Sequence, residues 1–200
     1  MRIAVVALVA VVACAESNPA VRLDDAWPAQ VPSYNDTTVA WTRATRLRGQ
    51  YQEALDLHAV FKSPDWRAAH AERVADQRGL TGAAHDQFIT QAKADMAGPY
   101  ELELLVTTWD RRENDLDRGK KSVWRVVLVD DEGHEIEPLE IVRDRRPIET
   151  LRAEFLDVTD FATAYVARFP RTSELLGPSV HALRLRMSGE RGAVELVWSH

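Results

Sequence analysis

After Pro99 the chain settles into short runs in which apolar and polar residues alternate, each closed by a turn. This texture constrains the fold more than any other feature of the sequence. A period of two sends successive side chains to opposite faces of a strand, so each run has one face to bury. Tyr100–Trp109 carries Leu102, Leu104 and Val106 opposite Glu101 and Glu103, and Val123–Val129 carries Trp124, Val126 and Leu128 opposite Arg125. Asp130-Asp131-Glu132-Gly133 reads as a hairpin turn. Glu135–Arg143 follows, with Pro138 marking an edge strand because proline cannot donate to a ladder. The runs 148–156 (Leu151, Ala153, Phe155) and 161–169 (Phe161, Tyr165, Phe169) continue the pattern. The last two, 180–187 (Leu183, Leu185, Met187) and 193–198 (Val194, Leu196, Trp198), are joined by a turn at Gly189–Gly192.

Seven or eight strands of this length and spacing predict a mainly β chain of α+β type, an antiparallel β-sandwich that resembles the immunoglobulin fold in outline. The Cys-Trp-Cys signature of that family is missing, so the likeness is one of architecture and brings no function with it. Two helices interrupt the strands. Ser63 as N-cap, Pro64 at the first helical position and Asp65 in the first turn open a helix that runs to about Arg78 and stops at Gly79. Thr81 is positioned to cap a second helix, 82–97, which ends at Gly98-Pro99. Both are amphipathic but rich in alanine, and such narrow faces suit packing against a sheet. From Val39 to Phe61 the apolar residues share odd parity, which predicts a strand over 51–61 after a bend at Gly49; a helix gathering Leu47, Tyr51, Leu55 and His58 is the alternative. The 200 residues, 46% of them hydrophobic, suffice for one domain over 39–200 with a helical insert at 64–97. With one cysteine no internal disulfide can form, so burial must hold the core.

The N-terminus has a different character. After Met1-Arg2, residues Ile3 to Ala13 are apolar and uncharged, too short a run to span a bilayer comfortably and the right length for the apolar part of a secretory signal. Val11-Val12-Ala13-Cys14 resembles the lipobox of bacterial lipoproteins. The resemblance implies a signal peptide over 1–13, diacylglycerol on the sulfur of Cys14, and a membrane anchor of several acyl chains, which holds durably where one chain does not. It also implies a place in the bacterial cell envelope. Ala15 after the cysteine favours the periplasmic face of the outer membrane in a Gram-negative cell. Residues 14–38 then read as a flexible tether, with Pro19, Pro28 and Pro32 among polar residues and Trp27 and Tyr34 available to dock on the domain. In texture the chain resembles envelope lipoproteins that carry a helical insert in a sandwich and to which no activity is attached. Two other readings stay open: Ala13-Cys14-Ala15 also fits an ordinary cleavage site, which would discard the cysteine, and Cys14 could sit in an uncleaved apolar tail.

Chemical motifs are scarce. None of His58, His70, His85, His134, His181 and His200 stands at a metal-binding spacing, and no phosphate loop, dinucleotide fingerprint or nucleophile elbow occurs, so neither metal nor cofactor is expected. Glu113–Gly119 approaches a calcium loop, but its glycine falls one place late, Arg118 intrudes and Trp124 stands where the closing glutamate belongs. The net charge of −6 argues against nucleic acid. The six tryptophans are scattered and offer no evident sugar platform.

Alternate loops of an antiparallel sandwich gather at the same end, which would bring 110–121, 143–147 and 170–179 together. Their candidate anion- or partner-binding residues are Arg111, Arg112, Arg118, Arg143, Arg145 and Arg146, with Lys120, Lys121 and Arg171 nearby. The other end would collect Asp130, Asp131, Glu132, Glu135, Asp157, Asp160 and Glu190 against Arg191 alone. Such a dipole steers anions, and arginine forks suit carboxylate or phosphate; the plainer alternative is local pairing of loop charges. The expectation is a non-enzymatic binding or structural protein anchored through lipid on Cys14, its partner an envelope protein or an anionic polymer. The alternative is an envelope hydrolase assembled from loops, with Asp110, Glu113 and Asp115 as its carboxylates. A deep pocket holding a carboxylate of raised pKa would favour the enzyme.

Overall fold

The structure is a computed structural model that describes residues 18–49, 53–156 and 158–200. Cys14 and the apolar run before it lie outside the described residues. In chain order the elements are helix α1 (Tyr34–Trp41), strands β1 (Thr42–Arg48) and β2 (Glu53–Phe61), helices α2 (Pro64–Gln77) and α3 (Gly82–Asp95), and strand β3 (Tyr100–Thr108). Then come β4 (Trp124–Val129), β5 (Glu135–Ile136), β6 (Glu140–Arg143), α4 (Ile148–Glu154), β7 (Thr163–Phe169), β8 (Ala182–Gly189) and β9 (Gly192–Ser199).

Two antiparallel sheets form, one in the order β1-β2-β3-β7-β6 and one in the order β5-β4-β8-β9. The alternation read from the sequence sets their faces. Leu55, Leu57, Leu102, Leu104 and Tyr165 of the first sheet share one core with Trp124, Val126, Leu185, Leu196 and Trp198 of the second. The fold is therefore a β-rich sandwich with helices. Sequence and structure also agree on the insert: Ser63 caps α2 by accepting from Trp66 N at 3.1 Å, and Gly79 ends the helical segment at φ 64°, where other residues are strained. Thr81, by contrast, makes no side-chain cap bond to α3.

Three sequence expectations need correction. The stretch 148–156 holds helix α4 (Ile148–Glu154) in place of a strand: Leu151 and the capping Phe155, four apart, both enter the core, while Ala153 stays outside. The single strand expected over 135–143 divides around Pro138: β5 edges the second sheet and β6 edges the first, so the chain changes sheets where proline breaks the ladder. Over its described part, the stretch expected to be a flexible tether is instead built into the body. Val21 and Leu23 are buried, Val21 N donates to Ser199 O at 2.9 Å, and residues 34–41 are helical, with the Tyr34 hydroxyl donating to Glu154 O at 2.7 Å.

Arg43 holds this region together. On β1 its position faces inward, and the side chain is 2% exposed. Among the described residues no carboxylate pairs with it. Its Nε donates to Val197 O at 2.7 Å, Nη1 to Ala40 O and Thr42 O at 2.7 and 2.9 Å, and Nη2 to Pro19 O at 2.6 Å. Burial lowers its pKa to about 10, still well above neutrality, so the cation persists. One guanidinium thus ties the N-terminal segment, the end of α1, β1 and the last strand into one unit. Replacing it by Leu strands four carbonyls, and Arg43→Leu should cost about 3 kcal/mol in a urea titration. Arg43→Lys should recover less than half of that, since an ammonium lacks the fork; an unchanged midpoint in both variants would refute the role.

Candidate functional site

The outer face of the first sheet carries the even positions of β7 and the odd positions of β3, which puts Glu101 opposite Arg168 and Glu103 opposite Val166. Helices α2 and α3 lie over this face, and between them and the sheet runs a groove of about 440 Å³. Its floor includes Glu101, Val166 and Arg168; Lys62, Arg67 and His70 line it from α2 and the turn before it; Phe88 and Ala92 line it from α3. The loop after β6 closes one side with Asp144, Arg145 and Arg146. Helix α3 buries none of its own residues, so its inward side is groove wall.

Most charges here are in mutual service. Arg168 Nε donates to Glu101 Oε1 at 2.7 Å and Arg67 Nη2 to Oε2 at 3.0 Å; burial pushes Glu101 up, but Arg168, Lys62 and Arg67 together hold it below the ordinary carboxylate range. Arg146 bridges Asp144 at 2.6 Å and Glu154 at 2.5 Å. Burial would lower the Arg146 pKa, but the two carboxylates outweigh it and hold the value above that of a free arginine. His70 stacks on Trp66 with ring centroids 4.8 Å apart and faces Glu154 at 3.8 Å. Arg145 differs: it is exposed and forms no ion pair or hydrogen bond through its side chain among the described residues.

Beneath the groove lies Glu103, which is fully buried. The Lys62 ammonium stands 3.1 Å from Oε2 but off a hydrogen-bonding direction, and Arg146 is 3.8 Å away, so neither carboxyl oxygen has a well-aligned donor. Desolvation raises its pKa to about 7; Lys62 and Arg146 oppose the rise and Asp144 adds to it.

The expected meeting of three loops at one end is found in part: 110–121 and 143–147 adjoin through Arg143 and Asp117, and 170–179 lies elsewhere. Arg143, Arg145 and Arg146 meet in the groove, while Arg111 lines a separate cleft that Arg143 also borders. Arg112 is spent on its own Asp110 at 2.8 Å, Arg118 approaches Asp115 at 3.4 Å, and Arg143 pairs with Asp117 at 3.0 Å. Arg171 lies at the far end, bonded to Asp25 and to the carbonyls of Gly98 and Met96 that precede β3. Of the acids expected at the opposite end, Asp130, Asp131, Glu132 and Glu135 share the turn between β4 and β5, while Asp160 and Glu190 lie elsewhere. Asp160 shares the cleft of Arg111, and the Glu190–Arg191 turn meets the 110–121 loop through an Arg191–Glu113 pair at 2.6 Å.

The three carboxylates considered for an enzyme are likewise engaged: Asp110 holds Arg112, Glu113 holds Arg191, and Asp115 accepts from the Ser122 hydroxyl at 2.8 Å and Val123 N at 3.2 Å. The carboxylate with a raised pKa is Glu103, and it is sealed under the groove where no substrate can touch it. Lys62, Arg67 and Arg168 escaped sequence reasoning because nothing local links them; the parity of β3 puts Glu101 and Glu103 on one face but does not mark them as a site. Among the described residues no group of three metal-ligating side chains forms, and no helix is long and apolar enough to cross a membrane. No protein-family model, curated protein or solved structure matches this chain.

Glu103 makes stability depend on pH. Its folded value, about 7, lies above the ordinary 4.5, so the folded state binds the proton more tightly than the unfolded chain, and this group's penalty accrues as pH rises from about 4.5 to 7. Glu103→Gln removes the charge and keeps the shape. The variant should match the wild type near pH 5 and be more stable by roughly 2 kcal/mol at pH 8. Chemical denaturation at both pH values checks this, and a difference that does not grow with pH would contradict the assignment.

Proposed function

We propose that this chain is a lipid-anchored protein of a bacterial envelope that binds an anionic polymer along the basic groove and performs no chemistry on it. The anchor rests on the resemblance of Val11-Val12-Ala13-Cys14 to a lipobox. The binding role rests on one observation: a chain of net charge −6 lines this groove with six cations against four carboxylates, and leaves Arg145 exposed without a partner among the described residues. The groove can therefore offer a guanidinium fork to a carboxylate or phosphate without first breaking an ion pair, a cost that Arg146 and Arg168 would incur. The engaged state of Asp110, Glu113 and Asp115 supports binding over hydrolysis.

Two experiments test the two halves. Retention on immobilised poly-L-glutamate or polyphosphate should fall with salt, and Arg145→Glu should weaken it about fivefold or more at low ionic strength while Arg111→Glu leaves it unchanged. Equal retention of wild type and Arg145→Glu would dismiss the groove as the site. Separately, Cys14→Ser should move the protein from the membrane to the soluble fraction of expressing bacteria, and a mature N-terminus at Glu16 would defeat the anchor without touching the groove.

A further inference from the structure

A second cleft, of about 940 Å³, opens where β2, β3 and β7 meet the loops at the end of the sandwich on which β3 finishes. It is lined by Asp56, Thr107, Trp109, Arg111, Phe161 and Thr163, with Glu53 and Asp160 beside them. Trp109 and Phe161 are 66% and 69% exposed. That sets them apart, because Trp41, Trp66, Trp124, Trp198, Phe61, Phe155 and Phe169 are buried, and Trp27 and Phe88 are half-buried. Two large aromatic faces left in water on the walls of one cavity forfeit burial that the rest of the chain exploits. They come from opposite ends of adjacent strands: Trp109 follows β3, Phe161 precedes β7, and the antiparallel register delivers both to one place.

From this geometry we infer that the cleft binds a neutral oligosaccharide. A pyranose ring offers an apolar C–H face that lies flat on an aromatic ring, and pairs of neighbouring hydroxyls that fit a carboxylate or a guanidinium. The cleft supplies both kinds of partner. The Arg111 side chain and the hydroxyls of Thr107 and Thr163 make no hydrogen bond among the described residues. Asp56 stands at the wall with its Oδ2 3.4 Å from Arg46 Nε and its Oδ1 buried without an aligned donor among the described residues. The charges nearly balance, three carboxylates against Arg111 and Arg143, which removes any pull on an anion and separates this site from the basic groove. An extended peptide is the poorer fit. β2, β3 and β7 are interior strands whose ladders are already paired on both sides, so the cleft presents no sheet edge for a peptide strand to extend.

Titration of the chain with chitohexaose, cellohexaose and maltohexaose, followed by tryptophan fluorescence and calorimetry, tests the inference. At least one should saturate with a dissociation constant on the order of 1 mM or below. Trp109→Ala and Phe161→Ala should each weaken it by about tenfold, and both variants should fold normally because these side chains are exposed. Arg145→Glu should leave saccharide binding unchanged, which keeps this test apart from that of the groove. The inference fails if none of the three saccharides binds, or if binding survives loss of both aromatics. It fails equally if poly-L-proline binds in a Trp109-dependent way while the saccharides do not.

Discussion

A buried cation met by four backbone carbonyls, with no carboxylate beside it among the described residues, is the constraint on which the arrangement of this molecule depends. Placing a guanidinium between two sheets is costly unless its donors are met, and here backbone carbonyls meet them. Carbonyls bring no charge, so the cation keeps its own, and the geometry must be right instead. The acceptors belong to residues 19, 40, 42 and 197, nearly the full span of the chain. Trp198 adds to the same joint: its indole Nε1 donates to Trp41 O at 2.9 Å and its ring lies 5.8 Å from the Arg43 guanidinium. The first sheet's β1 edge and the second sheet's β9 edge are thereby closed upon each other, and the segment leading from the N-terminus is locked in before the first strand begins.

The helical layer follows from a second constraint, the polar outer face of β3. Its alternation requires something polar at 101 and 103, and α2 then covers both. Each glutamate is handled differently. Glu101 receives two guanidinium groups in good geometry and becomes a firmly ionised floor. Glu103, one pair further in, receives an ammonium off its hydrogen-bonding axis and a guanidinium at 3.8 Å, and burial pushes it towards the neutral acid. The groove above them is therefore less negative than its sequence suggests, and its arginines are less neutralised. Helix α3 contributes roof rather than core, since it buries nothing of its own and rests on α2. Free energy holding the fold lies in the sheets and α2, and the groove sits at the boundary with the weakly held layer.

Much of the β framework was legible because burial enforces parity. Leu102, Leu104 and Val106, and Leu183, Leu185 and Met187, face the core as the alternation requires. The Ser63-Pro64 start was legible because capping chemistry is local. Helix α4 was not: Leu151, Ala153 and Phe155 satisfy a period of two, Leu151 and Phe155 satisfy a period near four, and seven residues are too few to decide. Nor was the docking of residues 18–33, because two apolar residues, Val21 and Leu23, among prolines and polar residues carry no periodicity at all. The sites were hidden for a further reason. Groove and cleft are each assembled from strand ends and loops as far apart as 62, 101, 145 and 168, or 56, 109 and 161, and no local pattern binds them.

The error over α4 carried further than its seven residues. In an antiparallel sandwich each strand crossing moves the chain to the other end, so the end at which a loop emerges is fixed by whether an even or odd number of strands precedes it. Counting 148–156 as a strand reversed the assignment of every loop after it. That is why Arg171 was placed with Arg111, although it bonds the carbonyls of Met96 and Gly98 at the far end. It is also why Asp160 and Glu190 were placed away from the loop they adjoin. The loops before the error, 110–121 and 130–134, were assigned to the right ends. Surface electrostatics inferred from a strand count therefore inherits the parity of the count and not its average accuracy. A single ambiguous helix moves every later loop to the opposite end of a β-sandwich, whereas the core positions of the same strands, fixed by local alternation, are untouched.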